Sequence, residues 1–464
     1  MAWTVAVTGG TLVTGEGRVR ADLLLRDERV VTWLAADAAT AMTEVDERID
    51  ATGLWVLPGG IDVHTHFEEP DPNLLEGFET GSRAAAAGGI TTVVEMPQAH
   101  PTTTTAELLR EKAAMVARSA IVDVALWAGV TFAGGQTEAD LEAMAAAGAA
   151  AFKSFMASSS PFFPAVDTGG VLRAMEVAAA TGLPYGLHAE DDALLRHGIG
   201  RMKRANRVDP MAHAESRPPV VETVAVAAAL VLAEETGAPL HVCHVASAGA
   251  LRLIADAKRR GVKVTCETCP QYLVLDTGDL ERLRGFARCA PALRPRAEVD
   301  AIWPFVLDGT VDLLCSDHCG VTPESKRRGD EDIFAAPLGL PGVQTLLPAS
   351  YTGAVVERGM EPERWVRLVS ARPAAIFGLA PRKGSLAIGA DADLVLFDPE
   401  RRWTVTVEDH AHRQPWSPYE GMTLQGRVVR TIRRGETIFD DGKPGRERFT
   451  AAAGSGRFVP RVAS

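Results

Sequence analysis

Short apolar, β-branched runs alternate with alanine-rich stretches through the central part of the chain. This alternation is typical of repeated strand–helix units around a parallel sheet. Two of the intervening segments, AVAAALVLAEETG and ALRLIADAKRRG, are predicted as helices that end at a glycine. Eight runs are predicted as strands: GGIDVH, ITTVVEM, IVDVALWAGV, AAAFKSFM, LPYGLHA, PLHVCHV, VKVTCET and VDLLCS.

Eight strand–helix units predict an α/β fold built on a (β/α)₈ TIM-like barrel. A doubly wound parallel sheet is the alternative, but no glycine-rich phosphate loop follows the first strand. Both ends of the chain instead show short strands separated by turns, and we expect them to pair into one small β-sandwich domain. The predicted limits are 1–56 for its N-terminal part, 57–380 for the barrel, and 381–464 for its C-terminal part and tail.

Composition narrows the class of protein. The chain has 464 residues and a formal charge of -12, which argues against binding to nucleic acid or to anionic membrane surfaces. No apolar run reaches the roughly 18 residues of a membrane span, and the first residues do not resemble a signal peptide. The six cysteines all lie between Cys243 and Cys319, which predicts a reduced, cytoplasmic protein. Cys266 and Cys269 form a CxxC that we interpret as two half-buried thiols, since no second pair has structural-zinc spacing.

Two histidines one residue apart lie at the end of the first predicted strand. His64 and His66 belong to PGGIDVHTHFEEP, and residues i and i+2 of a strand face the same side. The pair alone is compatible with packing as well as with a metal site. Three later strands end in similar groups, because His188 ends the fifth, His244 ends the sixth and Asp317 follows the eighth.

Lys153 lies inside the fourth predicted strand, AAAFKSFM. A charged lysine in a buried parallel strand is costly, and burial favours the neutral amine, which can take up carbon dioxide as a carbamate. The alternative is a lysine that extends to solvent from the mouth of the barrel. His241, three residues before His244, is expected to face the opposite side and is interpreted as structural.

These six side chains would converge in a barrel, since the C-terminal ends of its strands form one catalytic face. Imidazole and carboxylate together suit zinc or a similar first-row divalent ion. Six ligands are too many for one tetrahedral zinc that keeps an open position, so the set predicts two ions close together.

Five motifs in order, PGGIDVHTH, FKSFM, LHAED, HVCHVAS and LCSDH, resemble the amidohydrolase superfamily. Within it the chain is similar to the cyclic-amidohydrolase branch of allantoinases, hydantoinases (dihydropyrimidinases) and dihydroorotases. The resemblance covers nearly the whole chain, including ARPAAIFGLAPRKGSLAIGADADLVLFDP near its end. It implies a metal-dependent hydrolase that opens a small cyclic amide, and a homo-oligomer, by resemblance a tetramer.

The resemblance also implies roles for the six residues. His64, His66 and Asp317 would hold the more buried ion, and His188 and His244 the other. Lys153, carboxylated to a carbamate, would bridge two divalent ions, which we expect to be zinc. A hydroxide shared by the ions would attack the ring carbonyl, with Asp317 as the catalytic residue that passes its proton to the leaving nitrogen.

Departures from family patterns bear on the substrate. Dihydroorotases resemble one another in an HxHxR motif, whose arginine binds a substrate carboxylate. In this chain Glu68 occupies the position of that arginine. Hydantoinases typically place a tyrosine where this chain has Ser158. Allantoinases lack both the arginine and the tyrosine. Their sequences resemble the segments EGFETGSRAAAAGGITTVVEMP and SPYEGMTLQGRVVRTIRRGETIFD of this chain. Backbone contacts to the ring are expected from Ala290 in CAPALR and from Leu338 and Gly339 in FAAPLGLPGVQ.

Allantoinase, opening allantoin to allantoate in purine catabolism, is therefore the function that the sequence favours. A hydantoinase or dihydropyrimidinase, or a cyclic imidase, is the alternative enzyme. Glu68 could reach a ureido or amino group of the substrate, or it could be a solvated loop carboxylate. A third alternative is a dihydropyrimidinase-related scaffold protein without catalytic activity. This alternative is disfavoured because the chain keeps all six ligand positions.

Overall fold

The described part of the computed structural model, residues 3–70, 75–158 and 162–462, contains two sheets of nine strands each. In chain order the strands are β1 (Thr4–Thr8), β2 (Thr11–Val13), β3 (Arg18–Arg26), β4 (Arg29–Ala35), β5 (Glu47–Asp50), β6 (Trp55–Pro58), β7 (Gly60–His66), β8 (Ile90–Glu95), β9 (Asp123–Gly129), β10 (Ala151–Phe155), β11 (Tyr185–His188), β12 (Leu240–Val242), β13 (Val264–Thr268), β14 (Leu313–Leu314), β15 (His318–Cys319), β16 (Leu394–Thr404), β17 (Thr423–Arg433) and β18 (Glu436–Asp440).

Helices separate the strands of the central part, and short 3₁₀ or π-helical turns extend several of them. The α-helices are α1 (Phe78–Ala87), α2 (Ala106–Ser119), α3 (Glu138–Ala146), α4 (Thr168–Thr181), α5 (Asp192–Arg204), α6 (Pro210–Ser216), α7 (Pro219–Thr236), α8 (Ala248–Arg259), α9 (Gln271–Val274), α10 (Thr277–Leu283), α11 (Arg296–Asp308), α12 (Pro323–Arg327), α13 (Leu346–Tyr351), α14 (Pro362–Val366) and α15 (Arg372–Ile376). The two helices predicted to end at glycine are α7 and α8, followed by Gly237 and Gly261 with positive φ.

Strands β7 to β14 pair in sequence order, each parallel to the next, which confirms the predicted barrel. The ring closes through β15, which runs parallel to β7 with His318 opposite Thr65. The Ser316 amide also donates to Asp62 Oδ1 across this seam, at 3.1 Å. All eight predicted strands are present, although β12 and β14 are shorter than predicted, so His244 and Asp317 lie just beyond them.

Apolar side chains fill the barrel on both sides of its strands. Ile61, Val94 and Trp127 belong to a buried cluster inside the ring, where the indole of Trp127 donates to the Val63 carbonyl at 2.8 Å. Outward-facing side chains such as Val93 and Leu126 pack in a second cluster with the surrounding helices. A barrel filled in this way holds its strand ends in fixed positions.

Both ends of the chain form the second sheet, as predicted. Strands from residues 4–58 and 394–440 pair in the order β18-β17-β16-β6-β2-β3-β1-β5, with β4 beside β3. The junction is the antiparallel pairing of β6 with β16. A buried core that includes Leu23, Val56 and Leu394 draws on both parts of the chain. We retain residues 57–380 as the proposed extent of the barrel unit.

The stretch Pro210–Thr236 has the length and composition of a membrane-spanning helix. In the fold it is two helices, α6 and α7, which are separated at Arg217 and Pro218. Half of the apolar window is buried, and α7 packs against α4 and α8 in the outer layer of the barrel. Packing of a barrel helix accounts for the buried half of its apolar residues.

A buried ion cluster joins the second sheet and the tail to the start of β9. The amine of Lys383 lies 2.5 Å from Asp123, 2.8 Å from Asp393 and 3.0 Å from Asp391. Arg434 also pairs with Asp123. The tail then runs beside β9, where the Val459 amide donates to the Val124 carbonyl.

Candidate metal centre

The six predicted ligands meet at the C-terminal end of the barrel. His64 and His66 lie at the end of β7, Lys153 in β10 and His188 at the end of β11. All four of these side chains are at most 9% exposed, and His244, which lies just beyond β12, is 2% exposed. Asp317 follows β14, and its side chain is 15% exposed. The cluster is therefore slightly open to solvent beside Asp317.

Asp317 contacts both histidines of the HxH pair. Its Oδ1 lies 3.3 Å from His64 Nε2 and 3.3 Å from His66 Nε2. The two rings are 5.3 Å apart, centroid to centroid. One carboxylate oxygen and two imidazole nitrogens this close together can bind a divalent ion.

His188 and His244 form the second half of the cluster. His188 Nδ1 lies 3.0 Å from His244 Nε2, so the two rings point nitrogen atoms at each other. The centroid of the His244 ring is also 5.1 Å from that of His64, which places the two halves side by side. The predicted two sets of ligands are therefore adjacent.

Lys153 is fully buried between them, and its Nζ has no hydrogen-bond partner among the described residues. The amine lies 4.8 Å from the Phe155 ring centroid, and that ring stacks on His188 at 5.1 Å. A buried polar group without a partner is unfavourable, so the position is poorly explained by packing.

Glu267, at the end of β13, was not among the predicted site residues. Its Oε1 accepts a hydrogen bond from His64 Nδ1 and another from the His244 amide at 3.2 Å. Its Oε2 lies 3.1 Å from His241 Nε2. His241 was expected to face the opposite side from His244, but in the sheet it shares the face of Lys153, and through Glu267 it supports a candidate ligand. A carboxylate in a buried strand, the signal that pointed to Asp317, could have identified Glu267 as well.

Glu190 plays the equivalent part for His188 and was also missed. Its Oε2 lies 3.0 Å from His188 Nε2, which leaves Nδ1 facing His244. Arg217 is 3.6 Å from the same oxygen and balances its charge. In both halves a buried carboxylate holds one nitrogen of a histidine and so selects the nitrogen that faces the cluster.

The electrostatics of most of the cluster favour ligand forms able to bind cations. His66 is the exception, because Asp317 and Glu68 outweigh burial and raise its pKa to about 9. Burial lowers the pKa of His64 to about 4, and it lowers the pKa values of His188 and His244, so the three rings are neutral at pH 7. Burial raises the pKa of Asp317, but the neighbouring histidines outweigh it and the carboxylate stays ionised. Neutral imidazole and ionised carboxylate are the states that bind metal ions. This donor set fits two divalent ions.

Two of the candidate ligands have an unusual backbone. His244 has φ of 36° and Asp317 has φ of 51°, a left-handed region that non-glycine residues seldom adopt. Such conformations are retained where the surrounding structure enforces them, and they concentrate at functional sites.

The residues predicted to contact a substrate lie around the mouth. Ser158 is exposed beyond β10, next to residues 159–161, which are outside the described part of the chain. Ala290, Leu338 and Gly339 are partly exposed. The Glu68 carboxylate lies 3.7 Å from His66 Nδ1, and its amide donates to Glu95 at 2.8 Å. Glu68 therefore neighbours a candidate ligand and is only partly solvated.

The CxxC differs from its predicted form. Cys266 and Cys269 are fully buried, so the interpretation as half-buried thiols is wrong. The Cys269 sulfur lies 3.5 Å from that of Cys315, which directly follows the neighbouring strand β14. All six cysteines are free.

The chain is similar to known proteins over nearly its whole length. The model of the amidohydrolase family matches residues 55–438. The chain is 43% identical to an allantoinase of Rubrobacter xylanophilus, over 99% of this chain and 98% of that one, and 35% identical to an L-hydantoinase of Paenarthrobacter aurescens, over 98% of each. The solved L-hydantoinase (dihydropyrimidinase) of Arthrobacter aurescens superposes with a TM-score of 0.93 at 34% identity, covering 98% of this chain and 99% of that one.

Proposed function

Because the chain belongs to the amidohydrolase family, we propose that it hydrolyses a C–N bond in the ring of a cyclic ureide. The observation that carries the proposal is the buried cluster of six candidate ligands, with the unpartnered amine of Lys153 at its centre. Relatives named allantoinase, including the one at 43% identity, favour allantoin as the substrate and allantoate as the product.

Two divalent ions, which we propose to be zinc, would be held in two sets. His64, His66 and Asp317 form one set, His188 and His244 the other, and carboxylated Lys153 would belong to both. When bound, such ions supply a nucleophile at neutral pH and polarise the amide carbonyl.

The chain's own groups would position and move protons around that reaction. Asp317 is ionised at neutral pH and lies at the mouth, so it can accept a proton and deliver it to the leaving ring nitrogen. An amide nitrogen is a poor leaving group unless it is protonated, so this delivery is needed. Glu267 and Glu190 keep the facing histidines in one orientation.

Backbone groups are proposed to bind the ring. Ala290 and Leu338 are partly exposed at the mouth and offer amide and carbonyl groups of the kind that a ureide can pair with. Glu68 stands where an arginine would favour an anionic ring, and its negative charge disfavours a substrate carboxylate near His66. A neutral ring such as allantoin meets this requirement.

A second candidate is a hydantoinase or dihydropyrimidinase. The resemblance to the solved L-hydantoinase, with a TM-score of 0.93, favours it, although Ser158 replaces the tyrosine typical of those enzymes. A substrate panel separates the candidates: allantoin, hydantoin, dihydrouracil, dihydroorotate and succinimide, each given to metal-loaded protein. Preferred opening of allantoin supports the proposal, and opening of hydantoin or succinimide with allantoin unchanged contradicts it.

We also propose a cytoplasmic homotetramer. Six free cysteines suit a reducing compartment. Helix α7 leaves three valines outward, Val220, Val224 and Val231, with exposed fractions of 51%, 41% and 66%. Such a stripe on one helix suits burial against a second copy.

A further inference from the structure

A buried lysine outside the metal cluster joins two segments at the mouth of the barrel. Lys326, in α12, has no solvent exposure. Its Nζ donates to the Arg288 carbonyl at 2.9 Å and to the Pro337 carbonyl at 3.0 Å. Burial lowers the pKa of Lys326 to about 7, so placing an amine here is costly. The cost suggests that the two hydrogen bonds matter.

Arg288 adds to the link between the same two segments, 288–291 and 336–340. Its guanidinium donates to the Ala336 carbonyl. Its own carbonyl, already paired with Lys326, also accepts from the Gly339 amide at 3.2 Å. The two segments are therefore fixed to each other at several points, and Lys326 contributes a donor to both.

Further buried donors hold the first segment from its other side. The Cys289 carbonyl faces His213 Nε2 at 2.8 Å, and the Pro291 carbonyl accepts from the Tyr272 hydroxyl at 2.9 Å. Within the described residues, Ala290 is the member of 288–291 whose amide and carbonyl both lack a partner. Every neighbouring carbonyl in that segment is occupied.

The second segment shows the same arrangement. The carbonyls of Ala336 and Pro337 are paired, the Gly339 amide is paired, and the Leu340 carbonyl accepts from Cys319. Leu338 is left, again within the described residues, with neither backbone group bonded. The two free positions coincide with two of the residues predicted to contact the ring.

We propose that Lys326 is a positioning residue that holds both segments so that the free backbone groups of Ala290 and Leu338 face the substrate ring. This inference rests on the proposed function for the identity of the ligand, but the link between the segments does not. A lysine suits the task because one compact ammonium reaches two carbonyls. Trp416 covers it, with its ring centroid 5.5 Å from the amine.

Lys326→Met removes both donors while keeping an unbranched side chain. Lys258→Met is the control, since Lys258, on α8, donates to the Thr310 carbonyl at 2.7 Å and pairs with Asp312, and in the described structure it contacts neither segment. Hydrogen exchange measured by mass spectrometry should rise about tenfold in peptides spanning both 288–291 and 336–340, in the Lys326 variant only. Unchanged exchange in either segment would overturn the proposal.

Kinetics supply the second readout. KM for the ring substrate should rise about tenfold in Lys326→Met with little change in kcat or in bound metal, because uniform binding is lost. Loss of metal, or a fall in kcat alone, would assign Lys326 a different role. If Lys326→Met does not fold, Lys326→Gln, whose shorter amide cannot reach both carbonyls, should still raise exchange in the same two segments relative to wild type, and unchanged exchange would overturn the proposal. Should the wild type open no ring at all, the proposed function fails, and the exchange result still decides whether Lys326 holds the segments.

Discussion

Glu267 accepts a hydrogen bond from Nδ1 of His64 and so leaves Nε2 of that ring facing Asp317. The same carboxylate holds His241 and the backbone of His244. One residue on β13 thereby fixes groups from two other strands. A rigid second layer of this kind is what tunes metal affinity in histidine sites.

Substituting Glu267→Gln should weaken metal binding by about 10- to 100-fold, because the amide cannot hold both histidines in the same protonation state. The dissociation constant, measured by competition with a chelator, checks this. Glu222→Gln is the control: Glu222 is equally buried and accepts from the Ala246 amide at 2.9 Å, but it contacts none of the candidate ligands in the described structure. Equal losses in both variants would mean that Glu267 acts through general stability.

Lys153 should carry carbon dioxide in the metal-loaded protein. Protein prepared with ¹³C-bicarbonate should show one carbamate signal by NMR, absent in Lys153→Ala, and that variant should lose metal and turnover together. Lys112 gives an internal comparison, because it is equally buried but donates to the Met96 carbonyl at 2.8 Å and to Glu95. A partnered ammonium should not react. Full metal content and activity in Lys153→Ala would refute the bridging role.

Asp123 should contribute acid-sensitive stability through the Lys383 cluster, whereas burial raises the pKa of its neighbour Asp393. The positive charges of Lys383 and Arg434 outweigh burial and lower the pKa of Asp123 from 3.8 to about 2. A lowered carboxyl pKa stabilises the fold above about pH 4, and this contribution of about 2 kcal/mol is lost as the pH falls through 2. Lys383→Met should destabilise the protein by about 3–5 kcal/mol at pH 7, because it removes the cation that three buried carboxylates share.

Thermal unfolding from pH 7 to pH 2 measures both effects. The difference in melting temperature between wild type and Lys383→Met should be largest at neutral pH and should shrink below pH 4, where protonated carboxyls no longer need the lysine. A difference that is constant with pH would mean that Lys383 stabilises the protein by packing alone.

Helix α7 should form a contact between copies of the chain. Val224→Glu combined with Val231→Glu places charge on its outward face and should lower the sedimentation coefficient to that of a smaller assembly. Ile388→Glu is the comparison, because Ile388 is 70% exposed but lies outside the helix. Identical sedimentation of wild type and the α7 variant would exclude this face as the contact.

Much of the barrel could be predicted because each of its strands is a local apolar run of the kind that forms a buried parallel strand. Once eight such runs are placed in a parallel ring, the rule that their C-terminal ends meet brings His64, Lys153 and Asp317 together. The sequence does not encode which residue stands behind which ligand. Glu267 lies 203 positions from His64, and their contact depends on the closure of the ring.

Contacts in the second sheet and at the mouth of the barrel also join residues that are distant in the sequence, so local patterns could not predict them. Short strands at both ends suggested a shared sheet, but the pairing of β6 with β16 joins residues more than 300 positions apart and follows from packing of the whole fold. Lys326 lies in a charged stretch, PESKRRG, whose sequence gives no sign that this lysine is buried. Only its position between two carbonyls reveals its burial and its part in shaping the mouth.

The most direct test of the two-ion account is a titration of metal-free protein with zinc, in the presence of bicarbonate, while allantoin consumption is followed. Turnover should rise until about two ions are bound per chain and then level off, with allantoate as the product. Turnover by protein free of metal, or allantoin left unchanged after two ions have bound, would contradict the account.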